Sequence, residues 1–211
     1  MKTNTVEDTE VGKENLDINQ ALLDKIIIHN IESFISDDEA SQLIEEASKD
    51  FVKTTTLGEN SDNEYRVAQG TWLYDNKNQL VAALKEKISK IINVPVENFE
   101  QLHVVKYEIG GQYKVHHDYF HANMDYFENV MKRGGQRTHS ALIYLNEDFE
   151  GGETDFPKIP YRAIPKKNKL IIWKNVDENN KVEYNSLHAG LPVTKGIKYI
   201  GIFWIREGKF I

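Results

Sequence analysis

Between residues 102 and 206 the chain is cut into short pieces by turn-forming dipeptides: Gly110-Gly111, Gly134-Gly135, Gly151-Gly152, Asn179-Asn180 and Lys195-Gly196. These residues turn the backbone where other side chains resist it. The runs between them are rich in β-branched and aromatic residues and read as strands: Leu102 to Ile109, Gln112 to Asp118, Ser140 to Leu145, Lys169 to Trp173, Ser186 to Ala189 and Ile197 to Ile205. Many short strands joined by tight turns bury their apolar faces by closing sheet on sheet, so this half is expected to form a β-sandwich or barrel.

The first half has a different texture. Residues 1–20 are polar and charged without periodicity and read as a flexible tail. Lys25-Ile26-Ile27-Ile28 reads as a strand. Ser36-Asp37-Asp38-Glu39 is a capping-box signature, and behind it Ala40, Leu43, Ile44 and Ala47 repeat at helical spacing. A second helix is expected from near Asn76 or Asn78, with the stripe Leu80, Ala83, Leu84, Ile88 and Ile91, ending before Pro95. No Pro- or Ser-rich linker divides the halves. The expectation is therefore one domain over residues 21–211, mainly β, with N-terminal helices (about 36–93) packed as a buttress on one sheet of a β core (about 100–207).

Composition narrows the function. The 211 residues carry a formal net charge of −7, which disfavours nucleic acid as a partner. The chain has no cysteine, so any metal must be held by His, Asp or Glu. The N-terminus lacks the apolar region of a secretory signal, and no apolar run approaches the ~18 residues of a membrane span. A soluble, cytoplasmic protein with no membrane partner is the expectation.

The segment that carries chemistry is Gln112-Tyr113-Lys114-Val115-His116-His117-Asp118. Alternation in a strand aims His116 and Asp118 to one face and His117 to the other. Of seven histidines, His188, in the strand-like Ser186 to Gly190, is the best third ligand. Two His and one carboxylate on one face of an ion leave positions open, as in non-haem Fe(II) oxygenases. Ten residues on, Lys198 opens an apolar strand, an awkward place for an ammonium. A cation there suits a ligand carboxylate, and 2-oxoglutarate offers one at its far end while its 2-oxo acid end chelates iron. Tyr107 and Tyr144 are placed to donate hydroxyls to that co-substrate. Residue by residue, other roles stand open: a surface ion pair for His116 and Asp118, an edge position for Lys198, core packing for the tyrosines.

In order along the chain, several stretches resemble the prolyl 4-hydroxylase family of Fe(II)/2-oxoglutarate dioxygenases. They are Tyr107 to Asp118, Gly134-Gly135-Gln136-Arg137-Thr138, Tyr144-Leu145-Asn146, Glu150 to Pro157, and Leu187-His188-Ala189-Gly190 with Pro192-Val193 and Lys198. Arg66 to Trp72 is a looser match, and its Val67-Ala68-Gln69 departs from the usual serine-rich stretch. Tyr199 stands where many relatives have tryptophan. The resemblance implies a double-stranded β-helix, or jelly roll, with iron held by His116, Asp118 and His188. It implies Lys198 as the 2-oxoglutarate anchor, and Tyr107 or Tyr144 as a second contact. It adds O2 as co-substrate, ascorbate as a candidate reductant, Arg137 as a substrate-binding candidate, and a lid over Phe120 to Gln136 hinged at Gly134-Gly135. The activity implied is 4-hydroxylation of proline in a peptide or protein. An oxygenase of another residue, a free amino acid or a nucleobase is a second reading; a non-enzymatic jelly-roll metal-binding module is a third. Trp72, Tyr119, Phe120 and Tyr126 are candidates either for a peptide groove or for packing.

Overall fold

The structure, a computed structural model, describes residues 23–54 and 65–211; the expected tail lies outside them. Helix α1 (Asp37–Ala47) begins where the capping box places it. Ser36 Oγ accepts from the Glu39 amide at 3.1 Å, and Glu39 Oε2 accepts from the Ser36 amide at 2.8 Å. Asp37, Asp38 and Glu39 also put negative charge at the positive end of the helix. Helix α2 (Gln79–Ile92) is capped by Asn78, whose Oδ1 accepts from the amides of Leu80 and Val81. It stops at Asn93, in the left-handed conformation (φ +54°), two residues before Pro95.

The strands form two main antiparallel sheets. The larger runs in the order β1 (Ile27–Ile31), β11 (Leu170–Lys174), β7 (Arg137–Tyr144), β14 (Lys198–Arg206), β5 (Leu102–Tyr107), β4 (Gln69–Leu73), β2 (Val52–Lys53). The smaller runs β10 (Tyr161–Ala163), β9 (Thr154–Phe156), β12 (His188–Gly190), β6 (Gln112–His116), β3 (Arg66–Val67). A two-stranded ribbon pairs β13 (Val193–Lys195) with β8 (Glu150–Gly151).

Side-chain parity sorts the larger sheet into two cores. Leu102, Val104, Ala141, Ile143, Phe203 and Ile205 face the helices and pack with Leu43, Leu84 and Ile88. Val105, Tyr107, Leu142, Tyr144, Ile200, Ile202 and Trp204 face the smaller sheet, where they meet Phe156 and Ala163. Both faces are buried, so these strands read as nearly unbroken apolar runs. This is the expected jelly roll with helices on one sheet.

The strand expected at Lys25 to Ile28 starts later, as β1 (Ile27–Ile31), behind a helical turn over 23–26, and three further differences bear on the site. The strand at 112 ends at His116, leaving Asp118 beyond it. Residues 184–186 form a 3-10 turn, so β12 starts at His188. The stretch expected as a helical buttress contains β2, β3 and β4 between its helices, and β4 and β3 extend the larger and smaller sheets respectively. Among the described residues, no helix is long and apolar enough to cross a membrane.

Candidate active site

Strands β6 and β12 pair with His116 directly opposite His188. The next pair is Tyr113 with Gly190, so β6 spends three residues where β12 spends two. This bulge re-aims the end of β6. Each imidazole then fixes its own tautomer. His116 Nδ1 donates to the Lys114 carbonyl at 2.7 Å, and His188 Nδ1 donates to the Ser186 carbonyl at 2.9 Å. A carbonyl only accepts, so Nδ1 carries the proton and Nε2 presents its lone pair. The carboxylate of Asp118 lies between them, Oδ1 3.7 Å from His116 Nε2 and Oδ2 3.7 Å from His188 Nε2.

Burial, with His188 nearby, pushes His116 down to about 3, so it is neutral at physiological pH. Burial pushes Asp118 the other way; His188, His116, Arg137 and a Ser140 hydrogen bond outweigh it and hold the carboxyl at about 2. The result is a neutral His116 imidazole and an ionised Asp118 beside His188, with one ligand atom from each of the three within 4.8 Å of one another. That donor set suits a divalent first-row ion, and its one-sided arrangement fits non-haem Fe(II). Sequence reasoning named all three residues. His117 points away, its Nε2 3.3 Å from the Tyr184 carbonyl.

Lys198 opens β14 with the same parity as Ile200, Ile202 and Trp204, so it points between the sheets and is 2% exposed. Its Nζ donates to the Gly152 carbonyl at 2.6 Å and otherwise faces the rings of Tyr107 (5.1 Å) and Tyr144 (5.6 Å). Gly152 has φ +69°, and a Cβ there would stand 3.0 Å from the lysine Cδ, so glycine lets this loop close on the stem. Burial lowers Lys198 to about 7, opposed by Glu153. An ammonium so poorly compensated is a site for an anion.

One cavity is lined by Lys198 and by all three candidate ligands, together with Arg66, Tyr107, Tyr113, Thr154, Trp173 and Trp204. It separates the two tyrosines. Tyr107 lines it. Tyr144 does not, and its hydroxyl is engaged with Thr154 Oγ1 (2.8 Å) and the Ala163 carbonyl (3.3 Å). Arg137 also stands outside the lining. Its guanidinium holds Glu100 through two bonds (2.7 and 2.8 Å) and lies 3.9 Å over the ring of Trp204. Arg66, Tyr113, Thr154, Trp204 and Glu100 were not singled out from the sequence as site residues. Tyr113 carried a signal, three residues before His116, and Arg66 is its pairing partner across β3 and β6.

The segment expected as a lid has fixed ends. The Gln136 amide bonds both backbone groups of Phe120 (2.8 and 3.0 Å), and Arg206 donates to the carbonyls of Val130 and Gly135. Between them no residue from His121 to Gly135 is buried, and a short helix, α3 (Phe127–Met131), interrupts the loop. Gly134 and Gly135 are packed rather than free: a Cβ on Gly134 would stand 2.8 Å from the Lys209 carbonyl oxygen. Phe120 is a packing residue, held under Arg137 and Arg206. Trp72 is 40% exposed and stacks on His103.

The 2OG-Fe(II) oxygenase superfamily model matches residues 102–206. The chain is 31% identical over 208 residues to prolyl 4-hydroxylase 5 of Arabidopsis thaliana, covering 88% of this chain and 69% of that one. It is 29% identical over 204 residues to prolyl 4-hydroxylase 2 of the same plant, with 85% and 67% covered. The viral collagen prolyl hydroxylase of Paramecium Bursaria Chlorella virus-1, solved as its 2-oxoglutarate complex, superposes with a TM-score of 0.67 at 29% identity, covering 84% of this chain and 94% of that one. The fold, the His-Asp-His cluster and these likenesses agree: the chain belongs to the prolyl 4-hydroxylase family of dioxygenases, which use Fe(II), 2-oxoglutarate and O2.

Proposed function

We propose that this chain hydroxylates peptidyl proline at C4, converting 2-oxoglutarate to succinate and CO2. The observation that carries the reading is that a three-donor metal cluster and a buried, poorly compensated lysine line one cavity. His116 Nε2, His188 Nε2 and Asp118 hold Fe(II) in this reading, and Lys198 pairs with the distal carboxylate of 2-oxoglutarate. The hydroxyl of Tyr107, on the same wall, is the second contact; Tyr144 keeps its ring beside the Lys198 ammonium. When bound, iron with its co-substrate supplies the oxidising power for C–H hydroxylation.

The chain's own residues position and enclose. No side-chain acid or base is needed at the carbon. Arg66 Nε and Trp204 Nε1 are buried without a partner among the described residues, and both side chains line the cavity, so they are donors available to a peptide carbonyl. Arg137 acts from the substrate side by backing the Trp204 ring rather than by entering the cavity. The chemistry names proline only through the relatives, and the plant and viral enzymes carry that name.

Anaerobic addition of Fe(II) and 2-oxoglutarate should give the weak visible charge-transfer band of the chelate. Air, ascorbate and proline-containing peptides should then give products heavier by one oxygen on proline. Succinate formed without oxygen appearing on any proline peptide, but with a free amino acid modified, would replace the substrate assignment. No band and no turnover would leave a metal-binding module.

A further inference from the structure

The two histidine ligands are oriented by local backbone, each through the carbonyl two residues before it. Asp118 has no such device. It lies beyond the end of β6, where no ladder bond fixes its side chain. What holds it comes from elsewhere in the chain. Ser140 Oγ donates to Asp118 Oδ2 at 2.6 Å, and Asn175 Nδ2 donates to Ser140 Oγ at 2.9 Å. Ser140 and Asn175 are both 0% exposed.

The direction of this chain of bonds is settled by donor inventory. An ionised carboxylate only accepts, and a serine hydroxyl has one proton. The Asn175 amide occupies the hydroxyl's acceptor side, so the single proton goes to Asp118. Asn175 is in turn fixed by its backbone, donating to the Thr138 carbonyl (2.9 Å) and accepting from the Glu183 amide (3.0 Å). Ser140 sits in mid-β7, paired with Trp173 on one side and Trp204 on the other. The relay therefore ties Asp118, two residues past β6 of the smaller sheet, to mid-β7 and to the residue that follows β11 in the larger.

We infer that Ser140 and Asn175 are positioning residues that hold the Asp118 carboxylate by Oδ2 and leave Oδ1 forward as a single-oxygen metal ligand. This rests on the assignment of the triad to Fe(II) given above. One carboxylate oxygen with two imidazoles leaves three positions of a six-coordinate ion open; a carboxylate bound through both oxygens closes one of them. Groups in this outer position are typically worth about 10–100-fold in metal affinity.

The test is anaerobic titration of Fe(II), and of Co(II) as a stable probe, into wild type, Ser140→Ala, Ser140→Thr, Asn175→Ala and the Ser140→Ala/Asn175→Ala pair, with thermal unfolding of each metal-free protein. Expected is an affinity loss of about 10–100-fold for Ser140→Ala, restored by Ser140→Thr, which keeps the hydroxyl. Asn175→Ala should weaken binding alone and add nothing in the Ser140→Ala background, because it acts through that hydroxyl. Loss of affinity in step with loss of melting temperature across the set, with no rescue by threonine, would mean a packing role and overturn the inference. So would wild-type affinity in Ser140→Ala, or independent, multiplying effects of the two substitutions. Failure of wild type itself to bind either ion would instead remove the triad assignment, and the relay with it.

Discussion

Replacing Lys198 with methionine separates binding from folding. Methionine keeps a stem of similar length and removes the charge. In the wild type the ammonium is 2% exposed with one carbonyl for compensation, the Gly152 oxygen at 2.6 Å. A 2-oxoglutarate carboxylate facing it forms a buried, charge-assisted pair, and truncating one partner of such a pair costs about 2–5 kcal/mol. At ~1.4 kcal/mol per factor of ten, Lys198→Met should weaken 2-oxoglutarate binding by roughly 30-fold to several thousand-fold. Stability of the free protein should change much less. The substitution removes a poorly solvated charge but strands the Gly152 carbonyl, opposing effects of about 1–3 kcal/mol. The pH dependence sharpens the test. Burial lowers Lys198 from 10.5 to about 7, with Glu153 opposing. Above pH 7 the free protein must take up a proton to pair with the carboxylate, so wild-type affinity should fall by up to about tenfold per pH unit there. The methionine variant should show no such slope. In the same window the unfolded lysine holds more protons than the folded one, so this group's contribution to wild-type stability rises with pH. Isothermal titration of 2-oxoglutarate into anaerobic, Fe(II)-loaded protein between pH 6 and 9 reads the binding. An affinity for Lys198→Met within about threefold of wild type would refute the anchor; a flat wild-type profile would refute the lowered lysine.

Two further outcomes concern the frame around the site. Glu100→Gln should destabilise by about 3–5 kcal/mol in urea unfolding, because it leaves the buried guanidiniums of Arg137 and Arg206 without their shared carboxylate. Burial raises Glu100, but Arg137 and Arg206 hold it below its ordinary 4.5, so the wild-type advantage should be full at neutral pH and shrink as the medium is acidified below that value. Gly134→Ala should cost about 1–3 kcal/mol, because φ is +114° and the new Cβ meets the Lys209 carbonyl oxygen at 2.8 Å. If unfolding midpoints of Gly134→Ala match wild type, the glycine pair is a free hinge after all.

What the sequence revealed followed from local chemistry. Ser36 and Asn78 announced both helices because a cap is a contact between near neighbours. The metal cluster was legible because strand parity brings His116 and Asp118 together, and few histidines remained to complete it. Parity reached the right conclusion by an incomplete route: a bulge at Lys114-Val115 and a strand ending at His116 set the final aim. Strands β8, β9, β10 and β13 escaped notice because two or three residues are too few to show alternation. Arg66 and Glu100 escaped because their meaning lies in partners far along the chain: Arg66 in the cavity wall it shares with Lys198, Glu100 in the two arginines it joins at 2.6 and 2.7 Å. The choice between Tyr107 and Tyr144 also needed three dimensions. Both are buried beside Lys198; Tyr107 lines the cavity, while Tyr144 does not and spends its hydroxyl on Thr154 and the Ala163 carbonyl.

The division of labour between the sheets explains why so much unlike chemistry fits one small cavity. The larger sheet is buried on both faces, so its strands hold rigid register, and it carries Lys198, Tyr107, Trp204 and Ser140 on its inward parity. The smaller sheet is short-stranded and bulged, which gives it the freedom to turn two imidazoles toward one point, where the carboxylate two residues past β6 joins them. Precision at the metal then has to be imported, and the Ser140–Asp118 bond is where the rigid sheet lends it. The charges are kept apart by the same geometry. Glu100 joins the guanidiniums of Arg137 and Arg206 behind Trp204, while Lys198 has no ion-pair partner in contact at the other end of β14 among the described residues. A jelly roll that neutralised Lys198 internally would fold more easily and would have nothing to offer an anionic co-substrate.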